Sequence, residues 1–184
     1  DGENLIVVCP GANQALRPAD VTGHAISNMM GVLEISGDTL LAAAKAATGF
    51  VSLNLAPAMA VPDALLARAS LLSVNETEAA FYGDRLHAQG ALVAVSLGAE
   101  GAVLYRAGKE VVREAPPKVQ VVDTVGAGDT FTAALTVALI EGMTEQATLR
   151  FAVTAGALAC TRPGAQPSLP HRADVDRLIQ ETWR

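Results

Sequence analysis

The chain has 184 residues, of which 51% are hydrophobic, and a formal net charge of −6 at pH 7, so it is long enough to bury one substantial core. The acidic balance and the absence of a basic run argue against a nucleic-acid partner. No apolar stretch is long enough to cross a bilayer and no charged-then-apolar leader pattern opens the sequence, so we expect no membrane partner and a cytoplasmic location. Cys9 and Cys160 lie far apart in apolar surroundings, which predicts two buried thiols rather than a disulfide or a metal site.

Short apolar runs alternate with helical patterns along the first half of the chain. The runs that predict strands are residues 5–9, 30–33, 50–53, 71–74 and 92–97. The segments between them that predict helices are residues 18–28, 38–48, 62–68 and 76–82. Parallel strands that are covered on both faces read as continuous apolar runs. The alternation therefore predicts an α/β fold, with a doubly wound, mostly parallel sheet flanked by helices.

The pattern changes after residue 97. Residues 101–105 and 110–113 predict antiparallel strands around Ala107-Gly108. The apolar run 119–122 predicts a strand that breaks into a glycine-rich turn and then opens a helix containing Asp129. Residues 144–161 and 172–183 predict two further helices. No repeat, low-complexity tract or linker divides the sequence, so residues 1–184 are predicted to form a single unit.

The glycine-rich turn before Asp129 is the segment that points to a chemistry. Gly126 and Gly128 leave the backbone open, so N–H groups at the positive end of the following helix can converge on an anion. A carboxylate beside such a site is suited to taking a proton from a hydroxyl that attacks a phosphoryl group. The turn lacks the Gly-Lys-Ser/Thr of a phosphate-binding Walker loop, and Phe131 occupies the third glycine position of a dinucleotide fingerprint. On this pattern alone, two turn glycines and a favourable first-turn acid remain an equal alternative.

A longer stretch around the turn extends the pattern. Residues 123–131, Asp-Thr-Val-Gly-Ala-Gly-Asp-Thr-Phe, resemble the C-terminal signature of the ribokinase, or PfkB, family of carbohydrate kinases. Residues 53–58, 75–79 and 162–168 resemble segments of the same family in the same order. The resemblance runs from about residue 2 to residue 179, yet it covers only the later part of such a kinase. It implies that residues 1–184 are the ATP-binding and catalytic portion of a ribokinase-like domain.

The resemblance implies an ATP-dependent kinase that phosphorylates the primary hydroxyl of a sugar, with D-ribose, converted to ribose 5-phosphate, as the favoured acceptor. Asp129 would contact the sugar and act as general base, and the backbone of Gly126, Ala127 and Gly128 would form the anion hole. The residues implied along ATP are Asn75, Ser96, Leu97, Gly98, Ala99, Glu100, Gly101, Gly128 and Val153.

Two acidic residues, Glu78 and Glu34, can each be interpreted in two ways, from the local pattern and from the family resemblance. Asn75 followed by Glu78 is typical of a helix capping box. The resemblance adds that Asn75 approaches the ATP phosphates and that Glu78 helps to hold Mg²⁺ through water. Glu34 follows an apolar run and reads locally as a solvated loop acid. By resemblance Glu34 contacts the sugar hydroxyls.

Residues 162–168 contain two prolines and a glycine, which stiffen the loop and expose carbonyls. From the local pattern alone, residues 162–168 are interpreted as a rigid connector to the last helix. The resemblance implies an activating K⁺ ion in an oxygen cage, which suits a hard cation. The implied ligands are the carbonyls of Asp123, Val125, Ala159, Arg162 and Gly164 and the hydroxyl of Ser168.

The sequence also departs from the family. The N-terminal third, which carries most of the sugar pocket and the β-sheet lid, has no counterpart in the sequence, and three connections look short: those before residue 29, between residues 47 and 50, and between residues 82 and 86. Segments missing from a larger kinase are expected to explain these gaps. The family implies homodimerisation through the lid. Open alternatives are a PfkB-family kinase for a nucleoside, fructose or a sugar phosphate, and a non-catalytic nucleotide-binding remnant, whereas a dinucleotide oxidoreductase lacks its glycine fingerprint.

Overall fold

The computed structural model describes residues 11–183, so the predicted strand at residues 5–9 and Cys9 lie outside the described residues. A six-stranded sheet forms the centre, and its strands lie side by side in chain order. The strands are β1 (Met29–Val32), β2 (Val51–Asn54), β3 (Leu71–Asn75), β4 (Leu92–Ser96), β5 (Ala102–Arg106) and β6 (Lys109–Glu114). The first four are parallel, and β5 and β6 continue the sheet antiparallel. The mostly parallel α/β prediction is confirmed.

Helices cover both faces of the sheet. They are α1 (Pro18–Val21), α2 (Gly37–Ala46), α3 (Asp63–Arg68), α4 (Glu76–Tyr82), α5 (Ala127–Ile140), α6 (Glu145–Ala159), α7 (Ala165–Ser168) and α8 (Arg172–Thr182). Helices α2, α3 and α4 contribute to one buried core, and α5, α6 and α8 contribute to a second core. The sheet lies between these two cores, as in a doubly wound fold.

Strand β3 shows why the buried strands read as unbroken apolar runs. Leu71 packs in the core with α5 and α6, whereas its neighbour Leu72 packs in the core with α2 and α3. Both leucines are fully buried, because successive side chains of a strand point to opposite faces and both faces are covered by helices.

Two pairs of hydroxyl groups join α5 to the sheet. The Ser52 hydroxyl lies 2.8 Å from that of Thr136, and the Ser73 hydroxyl lies 2.9 Å from that of Thr132. All four side chains are buried. Thr132 and Thr136 lie one turn apart on the same face of α5, so the hydrogen bonds set the position of this helix along β2 and β3.

The hairpin between β5 and β6 forms where the sequence predicts it. Ala107 and Gly108 connect the two strands, and both have positive φ, at 49° and 75°. Two consecutive positive φ values give the turn whose twist matches that of the flanking strands. The strands pair from Arg106 and Lys109 outward.

Two local predictions are wrong. The helix predicted at residues 18–28 ends at Val21, because Thr22 is extended and Gly23 follows with a φ of 87°. The strand predicted at 119–122 does not join the sheet. Val121 and Val122 are exposed by 60% and 57%, and the Val122 N–H donates to the carbonyl of Cys160 at the end of α6.

The short connections that the sequence analysis identified close without a full helix. A 3₁₀ turn, Gly83–Leu86, follows α4 directly. Between α2 and β2, an isolated parallel bridge pairs Ala47 with Ile26. No helix of the described residues is long and apolar enough to cross a membrane.

Candidate active site

The polar residues of the candidate site lie at the carboxyl ends of the parallel strands. Asn54, Asn75 and Ser96 are the last residues of β2, β3 and β4. Asn54 is paired with Ser73, and Asn75 is paired with Ser96. Ser73 contacts Thr132 of α5, so this row faces the first turns of α5. Ligands of open α/β sheets bind at this edge.

Two adjoining cavities open at this edge. The larger has a volume of about 610 Å³ and mostly apolar walls, and the smaller is a polar cleft of about 170 Å³. The larger cavity is lined by Ser96, Gly98, Ala99, Gly101, Pro116, Pro117, Lys118, Val119, Val121, Thr124, Ala127, Gly128, Phe131, Val153, Gly156, Ala157 and Cys160. The polar cleft is lined by Asn54, Ala56, Ser73, Val74, Asn75, Glu78, Ser96, Gly128, Asp129, Phe131 and Thr132. Ser96, Gly128 and Phe131 line both, so the two spaces meet at the N-terminus of α5.

The glycine loop adopts a geometry that needs glycine at Gly126. This residue caps α5 with a φ of 79°, and a Cβ placed there would lie 3.2 Å from Cα and Cβ of Ala165. Gly128 has no atom within 4 Å of such a Cβ, so its backbone faces open space. The Ala127 N–H already donates to the Thr124 carbonyl at 3.2 Å.

Asp129 lies in the first turn of α5 and lines the polar cleft. Its side chain is exposed, and its carboxylate has no hydrogen-bond partner among residues 11–183. A carboxylate with both oxygens free is able to accept a proton from a ligand in the cleft.

The capping box predicted at the start of α4 is confirmed. The Asn75 side chain accepts from the Glu78 N–H at 2.9 Å, and Glu78 Oε2 accepts from the Asn75 N–H at 2.8 Å. Glu78 is only 7% exposed and forms no ion pair with any described residue. Only one oxygen of this carboxylate accepts a hydrogen bond from the described residues, so the other is available to a positively charged ligand in the cleft.

Asp123 joins the loop before α5 to the loop after α6. Its carboxylate accepts from the Gly164 N–H at 2.7 Å and from the Val125 N–H at 3.0 Å. These bonds, with Gly164 first, lower the pKa of Asp123 below its ordinary value, because they stabilise the ionised form. Cys160, which is half-buried rather than fully buried, has a free thiol. Burial, and then the nearby Asp123, raise the pKa of this thiol.

The backbone carbonyls predicted around K⁺ are free to bind a ligand. Residue 163 is proline, which has no N–H, so the Ala159 carbonyl cannot receive the usual helical hydrogen bond from the residue four positions later. None of the five predicted carbonyls accepts one of the loop, turn or side-chain hydrogen bonds of residues 11–183. The buried Ser168 hydroxyl donates to the Ala165 carbonyl at 2.8 Å, which leaves its lone pairs for a cation. This donor set suits a hard cation.

Most of the residues predicted to contact ATP line one of the two adjoining cavities. Ser96, Gly98, Ala99, Gly101, Gly128 and Val153 line the larger cavity, and Asn75 lines the adjoining cleft. Leu97 and Glu100 belong to the same turn but line neither space. Glu34 is exposed two residues after β1 and also lines neither.

Several residues that line the two cavities were not predicted from the sequence. Phe131 and the small residues Gly156 and Ala157 line the larger cavity, and Asn54 and Thr132 line the polar cleft. Asn54 belongs to a segment that resembles the family, and this resemblance could have identified it as a site residue. The small residues of α6 carry no such signal, because glycine and alanine are ordinary helix-packing residues.

Comparisons with known proteins agree with this geometry. The family model described as pfkB family carbohydrate kinase matches residues 1–172. The chain is 34% identical to the ribokinase of Arabidopsis thaliana and 37% identical to that of Bacillus subtilis. These matches cover 98% and 97% of the chain but only 54% and 66% of the two relatives. The Arabidopsis alignment extends over 206 positions, more than the 184 residues available, so the chain carries deletions relative to that protein.

Solved structures show the same fold. The crystal structure of the Thermotoga maritima ribokinase matches with a TM-score of 0.86 at 30% identity, over 97% of this chain and 66% of that one. The Arabidopsis ribokinase, solved with ribose and ATP, matches with a TM-score of 0.84 at 33% identity, over 98% of this chain and 66% of that one. Because the family model spans nearly the whole sequence, the chain belongs to the pfkB family of carbohydrate kinases.

Proposed function

We propose that the protein transfers the γ-phosphoryl group of ATP to the primary hydroxyl of D-ribose and forms ribose 5-phosphate. The observation that carries this proposal is the polar cleft in which Asp129, Asn75 and Glu78 meet at the N-terminus of α5, next to a cavity of about 610 Å³. The relatives named ribokinase at 30–37% identity, and the Arabidopsis structure that contains ribose and ATP, support ribose as the acceptor.

The larger cavity would take the nucleoside of ATP, and the phosphates would extend toward Gly128. Apolar walls suit a purine base, and the positive end of α5 suits the phosphate chain. Asp129 would take the proton of the attacking hydroxyl, and the loop of Gly126, Ala127 and Gly128 would stabilise charge on the transferred group. For Ala127 this requires its N–H to leave the Thr124 carbonyl.

The side chains of the cleft also fit Mg²⁺ and those of the neighbouring loops fit K⁺. Glu78 is a buried carboxylate without a cation, and it would hold hydrated Mg²⁺ beside the phosphates. No group of three or more His, Cys, Asp or Glu among residues 11–183 forms a metal cluster, and Mg²⁺ commonly takes its other ligands from water and phosphate. K⁺ would be held by the free carbonyls around Asp123, Val125 and Ser168, where it would fix the loop that precedes Asp129.

The second candidate is a nucleotide-binding protein without an acceptor site. The chain spans 54% to 66% of the length of the first curated relatives, and Glu34, the residue predicted to contact the sugar, lies outside both cavities. The free carboxylate of Asp129 favours the kinase, because nucleotide binding alone gains nothing from an acid beside the phosphates. A homodimer and a cytoplasmic location remain predictions from the sequence.

The test incubates the purified chain with MgATP and measures ADP formation with and without ribose. Ribose-dependent ADP formation supports the proposed kinase. Fructose, a nucleoside and a sugar phosphate, each assayed in the same way, identify another acceptor. Nucleotide binding by calorimetry without turnover on any acceptor supports the binding protein. A chain that binds no nucleotide contradicts both candidates.

A further inference from the structure

Asn54 lies in the polar cleft but has no role in the mechanism above. It is the last residue of β2 and is partly buried. Its neighbour in the sheet is Ser73, whose hydroxyl lies 2.9 Å from that of Thr132. Paired residues of adjacent strands point to the same face. Asn54 therefore lies on the α5 face of the sheet, under the helical turn that begins with Asp129.

The orientation of the Asn54 amide follows from a local hydrogen bond. The Ala56 N–H donates to the Asn54 side chain at 3.2 Å. A backbone N–H can only donate, so the atom that meets it is Oδ1. The NH₂ group has no partner among the described residues and carries the two donors that remain for a ligand.

Several other polar side chains of the cleft are engaged, at least in part. Asn75 and Glu78 bond each other's backbone N–H, and Ser73 and Thr132 bond each other. Ser96 donates to the Val74 carbonyl at 3.4 Å. Like Asn75, whose NH₂ group also has no partner among the described residues, Asn54 has unused donors, and it lines the cleft with the exposed acid Asp129. A group that meets both must accept hydrogen bonds from one side and present a hydroxyl to the other.

We infer that the Asn54 NH₂ group donates a hydrogen bond to an oxygen of the phosphoryl group in transit, and that Asn54 is a substrate-contacting residue of the phosphoryl-transfer site. The inference rests on the proposed function. A γ-phosphoryl group that extends from Gly128 into the cleft brings its oxygens to the side occupied by Asn54, and the acceptor hydroxyl approaches Asp129. A neutral donor at this position stabilises the transferred group without the electrostatic pull that a lysine would exert on Asp129.

The test compares the affinities of the chain for ADP and for the non-hydrolysable ATP analogue AMP-PNP, both with Mg²⁺, by calorimetry. Asn54→Asp keeps an oxygen for the Ala56 N–H but replaces the donor group with an acceptor. Asn54→Ser is neutral, keeps a hydroxyl that can accept from Ala56, and is too short to reach the ligand. We expect both variants to lose about tenfold to a hundredfold in affinity for AMP-PNP while the affinity for ADP changes little.

Asn28→Asp is the matched control. The Asn28 side chain also accepts a backbone N–H, that of Phe50 at 2.8 Å, but Asn28 immediately precedes β1, at the opposite edge of the sheet. This variant should leave the ratio of the two affinities unchanged.

Three results would overturn the inference. The first is an unchanged ratio of the AMP-PNP and ADP affinities in both Asn54 variants. The second is a changed ratio in Asn54→Asp alone, which would reflect the added charge. The third is an equal change of the ratio in Asn28→Asp. The ¹⁵N side-chain signal of Asn54 in the unmutated chain provides a check that does not depend on how the variants fold. It should shift with AMP-PNP but not with ADP, and identical shifts would contradict the contact. An unmutated chain that binds neither nucleotide would instead contradict the proposed function.

Discussion

The carboxylate of Asp123 accepts a hydrogen bond of 2.7 Å from the backbone N–H of Gly164, 41 residues later in the chain. This bond connects the loop before α5 to the loop after α6. The same carboxylate accepts from the Val125 N–H, one residue before Gly126. The position of the turn proposed to bind phosphate therefore depends on a contact with the loop proposed to bind K⁺.

Asp123→Asn should destabilise the protein at neutral pH. The lowered pKa of Asp123 means that the ionised carboxylate is stabilised in the folded state. Its contribution is fully present above the unfolded pKa of about 3.9 and is lost as the pH falls through the lower folded value. Asparagine has one acceptor oxygen for two N–H donors, so we expect a lower melting temperature at pH 7 and a smaller further loss on acidification. Calorimetry from pH 7 to pH 2 measures both.

Asp84→Asn is the control for this experiment, because Asp84 is exposed and its side chain forms no hydrogen bond or ion pair with the described residues. Identical acid-unfolding curves for the unmutated chain and Asp123→Asn would show that the Gly164 bond does not stabilise the ionised Asp123.

Replacing K⁺ with choline should lower nucleotide-dependent turnover, and Na⁺ should restore it only in part. The proposed K⁺ ligands are backbone carbonyls and the Ser168 hydroxyl, and the one carboxylate among these residues, that of Asp123, is already engaged by two N–H groups. Ser168→Ala removes one ligand and should raise the K⁺ concentration needed for half-maximal activity. Equal activity in K⁺ and choline would rule out an activating cation.

Asp129→Asn should lower kcat by about two to four orders of magnitude, the usual contribution of a general base. Nucleotide affinity should be retained, because the proposed anion hole is made of backbone. Asp38→Asn is the matched control, since Asp38 is also an exposed acid in the first turn of a helix but lies in α2. Undiminished turnover by Asp129→Asn would contradict the assignment of Asp129 as the general base.

Gly128→Ala and Gly126→Ala should have different effects, the first on nucleotide affinity and the second on stability. A Cβ at Gly128 meets no protein atom within 4 Å, and alanine is favoured over glycine in a helix by about 0.5–1 kcal/mol. This variant should melt at the same or a higher temperature but lose nucleotide affinity, because the Cβ enters the space proposed for phosphate. At Gly126 a Cβ lies 3.2 Å from Ala165 in a left-handed conformation, which should cost about 1–2 kcal/mol of stability.

Thermal melts and calorimetric titrations of both glycine variants decide the matter. Should Gly128→Ala bind MgATP as tightly as the unmutated chain, the phosphates do not approach the backbone at this point.

The buried pair Ser52 and Thr136 should stabilise the contact between α5 and β2. Ser52→Ala leaves the Thr136 hydroxyl with its bond to the Thr132 carbonyl and should cost about 0.5–1.5 kcal/mol in the free energy of unfolding. Thr136→Val leaves the buried serine unpaired and should cost about 1–3 kcal/mol. The double variant should cost less than the sum of the two, because neither hydroxyl is then left without the other. Urea unfolding of the four proteins measures the coupling, and strict additivity would mean that the two hydroxyls do not interact.

Local patterns were sufficient for several elements. The capping box at Asn75 and Glu78 and the hairpin at Ala107-Gly108 each depend on residues a few positions apart. Their conformations follow from backbone preference and short-range hydrogen bonds, so the sequence was enough to predict them. The parallel strands were predicted for a similar reason, since their side chains are mostly apolar and those of β2 and β3 are buried on both faces.

The sequence by itself determined most of the helices and strands and the identity of the acid beside the glycine turn, because these depend on neighbours in the chain. Only the tertiary structure decided that Asn54 and Thr132, 78 positions apart, line one cleft, and that residues 119–122 run past the end of α6 instead of joining the sheet. An apolar run fits a buried strand and a cavity wall equally well. The choice between them is made by the partners that folding brings together.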